Sequence, residues 1–384
     1  MEKYLVVCNA YPSESNIYRN GFIHRRVKAY MEKGAEVEVF YLHPPATKEE
    51  KYTYDGVEVT LGNTDNYVDF IQKVGNEYNA FLIHFITPQM YYPIVENVKD
   101  PKLVVWIHGF EAEAWHRRWF NFLTSVHELK KVIEMAEDHY VDQLNFMHDL
   151  YKEDKYDITF IHVSQWFKDH IADVDAKYAP SNYEIIPNIV DDNVFTYEPS
   201  ERSDKLRVLS IRPFASHKYA NDQTAKAINI LSKKPFFNDI EFHIYGKGKL
   251  FASITKSIKN HPNVHLHNTF LEQQEIAKLH KEFDVFLCPT RLDSQGVSMC
   301  EAMSSGLVPV ATDITAIPEY VENNVSGLLA KPESPESIAY QIERLYFNRN
   351  LLEKLSYNAQ KSIREKAGTE VVIEKEMKVM RNER

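Results

Sequence analysis

The chain has 384 residues, of which 44% are hydrophobic and 26% charged, and its mean hydropathy is −0.43. This length suggests two domains, each large enough for its own core, and no apolar run approaches the ~20 residues of a membrane span. The formal charge is −10, with 19 Lys and Arg against 29 Asp and Glu in residues 1–190. A nucleic-acid-binding protein would show the opposite balance, so we expect no nucleic-acid partner.

Three cysteines, Cys8, Cys288 and Cys300, share neither a metal-ligand spacing nor a Cys-x-x-Cys pattern. They suit a packing role in a reducing compartment. The apolar run at the N-terminus is too short for the core of a signal peptide and indicates a first strand instead. A cytoplasmic location is therefore expected.

Short apolar runs alternate with helical patterns along the chain, which is typical of parallel α/β sheets. In the first half the predicted strands are residues 4–8, 37–42, 81–86, 103–108, 158–163 and 183–186. In the second half they are residues 206–211, 240–246, 264–267, 284–288, 308–311 and 328–330. Predicted helices include residues 20–33, a long region at about 113–155, and one that Ser164 caps.

A polar, acidic linker after residue 190 ends near Asp204. It predicts one domain over residues 1–190 and a second over residues 191–365. Two doubly wound units of similar size follow from the strand pattern, and ligands of such sheets bind outside the carboxyl ends of the strands.

The stretch of residues 289–310 reads PTRLDSQGVSMCEAMSSGLVPV and predicts a strand, a polar turn and a helix. The free N–H groups and the positive end of the helix dipole point at the turn, which suits a phosphate group. Asp293 and Glu301 place a carboxylate on either side of this turn. An ordinary strand-to-helix turn with solvated acids is the structural alternative.

The same stretch resembles the donor-site signature of GT-B glycosyltransferases of family 4, within glycosyl transferases group 1. The shared features are an acid, seven residues, Glu-Ala-Met and a Gly-x-Pro-Val strand, here Asp293, Glu301 to Met303, and Gly306 to Val310. The family usually has Glu at the first acid and an aromatic residue two positions later, where this chain has Asp293 and Gln295. The resemblance implies a GT-B fold, with two Rossmann-like domains facing an interdomain cleft. It also implies that a C-terminal helix, residues 366–384, crosses back to the first domain.

Five further positions resemble the family. Arg212 and Lys218 follow the first strand of the second domain, like the pair that grips the donor diphosphate. His108, at the carboxyl end of the strand of residues 103–108, resembles the histidine that contacts the donor sugar. Gly21 resembles the glycine of the first loop, and Gly246 the glycine turn near the nucleotide. Each also has a purely structural interpretation as an ordinary loop residue.

The implied activity is retaining transfer of a sugar from a nucleotide-diphospho-sugar, expected to be a UDP-sugar. The acceptor is expected to be a glycan or a lipid-linked molecule, in polysaccharide or glycoconjugate synthesis. Glu301 is expected to bind the ribose, Asp293 the sugar hydroxyls, and Arg212 and Lys218 the diphosphate. The donor-binding turn comprises Ser294, Gln295, Gly296, Val297, Ser298 and Met299, with the last two offering backbone N–H groups to the diphosphate.

No metal and no cofactor are expected, because enzymes of this fold use cationic side chains and a helix N-terminus to stabilise the leaving diphosphate. The Asp173-Val174-Asp175 run follows a helical pattern and is interpreted as a solvated helix end. His265 and His267 alternate on a strand without a third ligand in view, and are interpreted as half-exposed strand residues. Two other functions stay open: epimerisation of a nucleotide sugar by the same fold, and a non-catalytic subunit that supports a partner enzyme.

The segment of residues 115–131 reads WHRRWFNFLTSVHELKK. Helical spacing would gather six apolar residues on one face, with Arg117 and Lys131 near the opposite one. These apolar residues are Trp115, Trp119, Phe122, Val126, Leu129 and Ile133. Aromatic and basic residues together suit an anionic bilayer surface, which would place the protein at the inner face of the cell membrane. The alternative is that the apolar face packs on the first sheet.

Overall fold

A computed structural model describes residues 2–14, 16, 19–122, 125–136, 140–198 and 204–383, except for the side chain of Phe122. The chain forms two compact units. The first comprises Met1–Arg117, Lys130–Ile189 and Val372–Arg384, and the second comprises Arg118–Leu129 and Val190–Val371.

The first unit is built on an eight-stranded sheet. Its strands are β1 (Lys3–Cys8), β2 (Glu36–Leu42), β3 (Glu50–Tyr54), β4 (Val57–Gly62), β5 (Ala80–His84), β6 (Lys102–Ile107), β7 (Asp157–His162) and β8 (Tyr183–Ile185). The order is β3-β4-β2-β1-β5-β6-β7-β8, and every pair except β3 with β4 is parallel. The strand order reverses at β1 and β5, so the sheet is doubly wound as predicted.

Helices before the second sheet are α1 (Gly21–Glu32), α2 (Thr64–Val74), α3 (Pro88–Asn97), α4 (Trp119–Phe122), α5 (Val126–Met135), α6 (Val141–Lys152), α7 (Gln165–Phe167) and α8 (Asp173–Asp175). Buried side chains form an apolar cluster on each face of the first sheet. The Ser164 hydroxyl accepts a hydrogen bond from the Phe167 N–H, as its predicted capping role requires.

One hairpin of the first unit was missing from the predicted strands. β3 and β4 are joined by Asp55 and Gly56, whose φ angles are 47° and 79°. Positive φ at both central residues defines the tight turn that favours Asp-Gly. That dipeptide, between runs of alternating polarity, is the signal that could have identified the hairpin.

The second unit contains a six-stranded, entirely parallel sheet. Its strands are β9 (Leu206–Ile211), β10 (Ile240–Tyr245), β11 (Val264–His267), β12 (Val285–Leu287), β13 (Val308–Thr312) and β14 (Leu328–Ala330), in the order β11-β10-β9-β12-β13-β14. The remaining helices are α9 (Asn221–Leu231), α10 (Phe251–Thr255), α11 (Gln273–His280), α12 (Val297–Ser304), α13 (Ile317–Tyr320), α14 (Pro335–Phe347), α15 (Arg349–Ala367) and α16 (Thr369–Arg381). The predicted pattern of two doubly wound α/β units is confirmed.

Two sequence-based expectations were wrong. The region of residues 113–155 is not one α-helix, because it begins with a 3₁₀ turn over Trp115–Arg118, and Ser125, just before α5, is not helical. Asp173 and Asp175 are not a solvated helix end. The Asp173 carboxylate lies 2.6 Å from the Lys168 ammonium, and the Asp175 carboxylate lies 2.6 Å from the Arg117 guanidinium.

Other expectations hold. All three cysteines are buried and none forms a disulfide. Burial raises the pKa of the Cys288 thiol to about 12, which keeps it protonated at neutral pH and fits a packing role.

A buried charge network attaches α16 to the rest of the first unit. The Glu376 carboxylate accepts hydrogen bonds from Arg26 Nε at 3.0 Å, Trp106 Nε1 at 3.0 Å and Tyr30 Oη at 2.5 Å. Arg26 and Glu376 are both 0% exposed. Since an unpaired buried charge is strongly destabilising, α16 has one favoured position against β6 and α1.

We expect the Glu376→Ala substitution to lower the free energy of unfolding by about 3–5 kcal/mol, because it leaves the Arg26 guanidinium buried without its counter-charge. Urea unfolding measures the change. Glu374→Ala, at an exposed position of the same helix, is the matched control and should stay within about 0.5 kcal/mol of the wild type. Replacing both Arg26 and Glu376 by apolar residues should destabilise less than Glu376→Ala alone, and equal losses would contradict the account.

Candidate functional site

The predicted donor residues of the second unit gather at the carboxyl ends of β9 and β12. These strands are neighbours, and the strand order reverses between them. Arg212 follows β9 directly, and Asp293 lies in the turn between β12 and α12. Open α/β sheets bind ligands at such reversal points.

Arg212 is a buried cation with unused hydrogen-bonding capacity. Its side chain is 5% exposed, and its Nη1 donates to the Ser298 hydroxyl at 3.2 Å. Its Nη2 lies 3.5 Å from the Asp293 carboxylate, an ion-pair distance that is too long for a good hydrogen bond. Within the described residues, Nε and Nη2 are buried without a hydrogen-bond partner. Buried donors are nearly always satisfied, so this guanidinium is suited to receive an anion.

Asp293 holds the turn that precedes α12. Its Oδ1 accepts the Gly296 N–H at 2.8 Å, while its Oδ2 faces Arg212. Gly296 adopts a φ of 78°, which a glycine tolerates best. Gly296 cannot cap α12 with a side chain, so the first N–H groups of the helix receive no side-chain acceptor from their N-cap residue.

The other residues of this turn differ in exposure. Ser294, Val297, Ser298 and Glu301 are half-buried, whereas Gln295, Gly296 and Met299 are buried. The Met299 N–H donates to the Gly296 carbonyl at 2.9 Å. This amide is therefore engaged in the helix, in contrast to its predicted use by the diphosphate, and Val297 and Ser298 occupy the first two helical positions.

Lys218 lies in the loop after β9, in a short 3₁₀ turn over His217–Tyr219. The centroid of the Tyr219 ring lies 4.9 Å from the Arg212 guanidinium and 5.8 Å from the Lys218 ammonium. The Lys218 carbonyl accepts the Arg291 N–H at 2.8 Å. The loop after β9 is thereby joined to the loop after β12.

Arg291 is a positioning residue that the sequence analysis missed. Its guanidinium binds both carboxylate oxygens of Asp222 at 2.7 and 2.9 Å and both of Glu333 at 2.6 and 2.9 Å. It also donates to the His217 carbonyl at 2.7 Å. Its position two residues after Pro289, within the donor-like stretch, could have indicated a role at the site. Its partners could not be predicted, because they are remote in sequence.

Gly246 allows the loop after β10 to approach the Arg212 loop. A Cβ atom at Gly246 would lie 2.0 Å from the Arg212 carbonyl oxygen, and one at Gly248 would lie 2.3 Å from the Phe214 carbonyl carbon. Backbone hydrogen bonds join the two loops, from the Phe214 N–H to the Lys247 carbonyl and from the Arg212 N–H to the Tyr245 carbonyl. Gly246 therefore supports Arg212, while its predicted contact with the donor stays a prediction.

An aromatic cavity of about 470 Å³ lies beside this site within the second unit. Trp119 and Phe120 line it, with their ring centroids 3.7 Å apart. His217, Arg291 and Glu333 line it as well, so it borders the loops that carry Lys218.

His108 and Gly21 lie in the first unit. The His108 Nε2 is 2.9 Å from the His84 Nδ1, so one ring donates to the other. The ring of Phe22, next to Gly21, meets the His108 ring edge-on at 5.1 Å. Gly21 begins α1, and a Cβ there would meet nothing within 4 Å, so no neighbour within its own unit requires a glycine.

Buried Glu111 orients the loop of His108. Its two carboxylate oxygens accept the N–H groups of His108 at 2.7 Å and Gly109 at 3.1 Å. Burial, and then the positive charge of Arg26, hold the pKa of His108 well below its ordinary value. Glu111 and His84 were not predicted as site residues, although Glu111 lies only three residues after His108.

None of the helices in the described part of the chain combines the length and apolarity that a membrane span requires. Residues 196–362, just under half of the chain and all within the second unit, match the family model described as glycosyl transferases group 1.

Sequence relatives match over a minor part of their length. The poly(ribitol-phosphate) alpha-N-acetylglucosaminyltransferase of Staphylococcus aureus (strain COL) is 33% identical over 141 residues, 36% of this chain and 28% of that protein. The N-acetyl-alpha-D-glucosaminyl L-malate synthase of Bacillus anthracis is 25% identical over 138 residues, 35% of this chain and 35% of that protein. This chain thus spans only about a quarter to a third of the length of these relatives.

Solved structures match the whole chain at low identity. Sucrose-phosphate synthase from Thermosynechococcus elongatus gives a TM-score of 0.74 at 12% identity, covering 100% of this chain and 99% of that one. HepE from Anabaena, in complex with UDP and glucose, gives a TM-score of 0.69 at 14% identity, covering both chains completely. The predicted GT-B fold is therefore confirmed.

The free energy of unfolding should fall as the pH drops from 7 toward 5, partly because of His84 and His108. Both have a folded-state pKa well below the ordinary value of 6.5, so below pH 6.5 the unfolded chain binds protons that the folded chain does not. Each such histidine contributes a slope of up to about 1.4 kcal/mol per pH unit. His108→Gln should reduce the slope by up to that amount in urea unfolding, whereas Phe22→Leu, which keeps both histidines, should not. Equal slopes for the wild type and His108→Gln would contradict the prediction.

Proposed function

We propose that this protein is a retaining glycosyltransferase of family 4. It transfers a sugar from a nucleotide-diphospho-sugar, with UDP as the expected nucleotide, to a glycan or lipid-linked acceptor. The observation that carries the proposal is the Arg212 guanidinium, buried at the reversal point of the second sheet with two nitrogens lacking hydrogen-bond partners among the described residues.

A donor diphosphate would fit this arrangement chemically. Arg212 can bind phosphate oxygens through two parallel N–H groups, while Lys218 supplies a point charge. The start of α12 adds N–H groups and the positive end of its dipole. Cleavage of the sugar–phosphate bond leaves extra charge on the diphosphate, and preorganised donors of this kind stabilise such charge. We propose on this basis that transfer needs no metal ion.

The remaining roles follow from position. Glu301, half-buried in α12, would bind the ribose hydroxyls. Asp293 would hold sugar hydroxyls in addition to its observed contacts with Gly296 and Arg212. His108, held neutral by its depressed pKa, would offer a hydrogen bond to the sugar without adding charge. We propose no covalent protein nucleophile: the leaving phosphate would assist attack by the acceptor on the same face.

The choice of UDP draws support from the names and bound ligands of similar proteins. Four of the neighbouring structures, of three different proteins, were determined with UDP. A Streptococcus agalactiae relative is named as a transferase that uses UDP-N-acetylglucosamine. Several relatives carry N-acetylglucosamine in their names, so UDP-N-acetylglucosamine is the first donor to test. The Trp119 and Phe120 rings offer flat apolar surfaces next to the Lys218 loop, a suitable place for an acceptor sugar.

The Arg212→Gln substitution should weaken UDP binding about 10- to 100-fold, because hydrogen bonds to charged groups contribute roughly 1.5–3 kcal/mol. Calorimetric titration with UDP, GDP and ADP measures the affinities and identifies the base. Arg212→Lys, which keeps the charge and loses the planar fork, should also weaken binding.

Arg207→Gln is the matched control, since Arg207 lies at the other end of the same strand and pairs with Asp284 at 3.6 Å. The wild-type affinity should persist in EDTA. Unchanged UDP affinity in Arg212→Gln would overturn the site, and loss of binding in EDTA would overturn metal independence. Incubation with the nucleotide sugar alone separates the activities, because formation of an epimer would mean an epimerase.

We also propose that the protein contacts an anionic bilayer surface through α5. This helix has no buried residues among those described, and Val126, Ile133 and Met135 are 84%, 47% and 41% exposed. The alternative that this apolar face packs on the first sheet is therefore wrong for α5. The predicted single face of residues 115–133 is wrong as well, because α4 and α5 are separate helices.

The basic residues that would contact the bilayer differ from those predicted from the sequence. Arg117 binds the Asp175 carboxylate through two nitrogens, at 2.6 and 2.8 Å, so its charge is already paired. Lys130 and Lys131 on α5 are more exposed. Lys130 pairs with Glu134 at 3.8 Å, but both side chains are exposed and such a pair contributes little. Apolar and basic groups on one exposed helix suit the headgroup region.

The wild type should co-sediment with anionic vesicles at low salt and be released as the salt concentration rises. The double substitution Lys130→Glu and Lys131→Glu should abolish co-sedimentation and leave UDP affinity unchanged. Lys354→Glu with Lys361→Glu makes the same charge change on exposed positions of α15 and should leave vesicle binding largely intact. Absence of wild-type binding, or equal losses in both double variants, would reject the contact.

A further inference from the structure

The edge of the second sheet carries a cluster of imidazole and carboxylate groups that the proposed function does not use. Glu241 and His243 lie on β10, and His265 lies on β11, the strand at the edge of the sheet. The parallel register sets His243 beside His265. Because side chains alternate along a strand, Glu241 lies on the same face as His243.

Three potential ligand atoms converge in this cluster. His243 Nε2 and His265 Nε2 lie 3.1 and 3.3 Å from the same oxygen, Glu241 Oε1. All three ligand atoms lie within 4.8 Å of one another. In a tetrahedral site with bonds of about 2.0–2.2 Å, neighbouring ligand atoms are about 3.4 Å apart. The observed spacing therefore requires little movement to accommodate an ion.

We propose that Glu241, His243 and His265 bind a divalent transition-metal ion, with Zn²⁺ as the best match. Two imidazole nitrogens and one carboxylate oxygen form a known zinc ligand set, in which water takes the fourth position. The three side chains are between 23% and 41% exposed, so water and the ion can reach them.

The affinity should be moderate. A metal-binding histidine usually donates its second ring nitrogen to an oxygen acceptor, and loss of such a partner weakens binding about 10- to 100-fold. The His243 Nδ1 is buried with no hydrogen-bond partner in the part of the chain that the structure describes. Within the described residues, the ring therefore packs against neighbouring rings such as Phe283 but has no hydrogen bond at Nδ1 to fix its orientation.

The consequence would be a metal link between an edge strand and its one neighbour. β11 has four residues and pairs only with β10. An ion bound from both strands would stabilise this pair, and it would raise the unfolding temperature because it binds the folded chain preferentially. Arg212 lies beyond the carboxyl end of β9, outside the cluster, so this site is independent of the proposed transfer reaction.

The test uses full-length protein that has been treated with a chelator and then titrated with Zn²⁺ in a calorimeter. The wild type should bind one ion per chain at this site and show a higher unfolding temperature with Zn²⁺ than in EDTA. His265→Ala and the near-isosteric Glu241→Gln should each weaken binding at least about 10-fold and remove the thermal shift. Co²⁺ absorption in the visible range should report a tetrahedral site in the wild type and not in His265→Ala or Glu241→Gln.

His261→Ala is the matched control, because it removes a histidine three residues before β11 and outside the cluster. It should bind Zn²⁺ like the wild type. UDP affinity should be unchanged in every variant, which separates a failure of the metal site from a failure of the proposed donor site. Equal Zn²⁺ binding by the wild type and Glu241→Gln, or no binding by the wild type, would overturn the inference.

Discussion

The arrangement of the second unit depends on keeping the Arg212 guanidinium buried while most of its donors remain unused. Burial of a charge without full pairing is unfavourable, so the surrounding backbone must hold the side chain in place. The loop after β10 does this through close backbone contacts that Gly246 and Gly248 alone permit. The turn before α12 and the start of that helix also hold the side chain, through Asp293 and Ser298 respectively. Burying these unpaired donors costs folding free energy, and the same donors are thereby already positioned to bind an anion.

Asp293 connects this cation to the helix start, which gives a physical reason for its short side chain. One carboxylate oxygen accepts the Gly296 N–H, and the other faces Arg212. An Asx-type bond to a backbone group a few residues on is natural for Asp, whereas a Glu at this position would reach further from its own backbone. An arriving diphosphate would compete with Asp293 for the guanidinium. Under the proposed function, donor binding and the geometry of this turn would therefore be coupled.

Local sequence patterns predicted what short stretches determine. The bounds of β9, β11 and β14 match the predicted strands. β14 is a fully buried apolar run and β9 a mostly buried one, whereas β11 alternates apolar residues with half-buried histidines. Side chains that meet across the fold were not predictable in this way. Arg26 and Glu376 are 350 residues apart in sequence. Arg291 is likewise distant in sequence from Asp222 and Glu333, and contacts them only in the folded chain. The Glu241 cluster likewise requires the register between β10 and β11, which no spacing within one strand reveals.

Net charge also proved an incomplete guide to the surface of the first half. Several of its acids serve internal contacts: Glu111 is 0% exposed and binds two backbone N–H groups, and the side chain of Asp175 is 5% exposed and binds Arg117. Counting Arg117 as a surface cation and Asp175 as a surface anion therefore misstates both. The electrostatic case for a bilayer contact consequently depends on the few exposed charges of α5. Since Lys130 and Lys131 share that helix with exposed Val126 and Ile133, charge and apolar area would act on the bilayer at the same place.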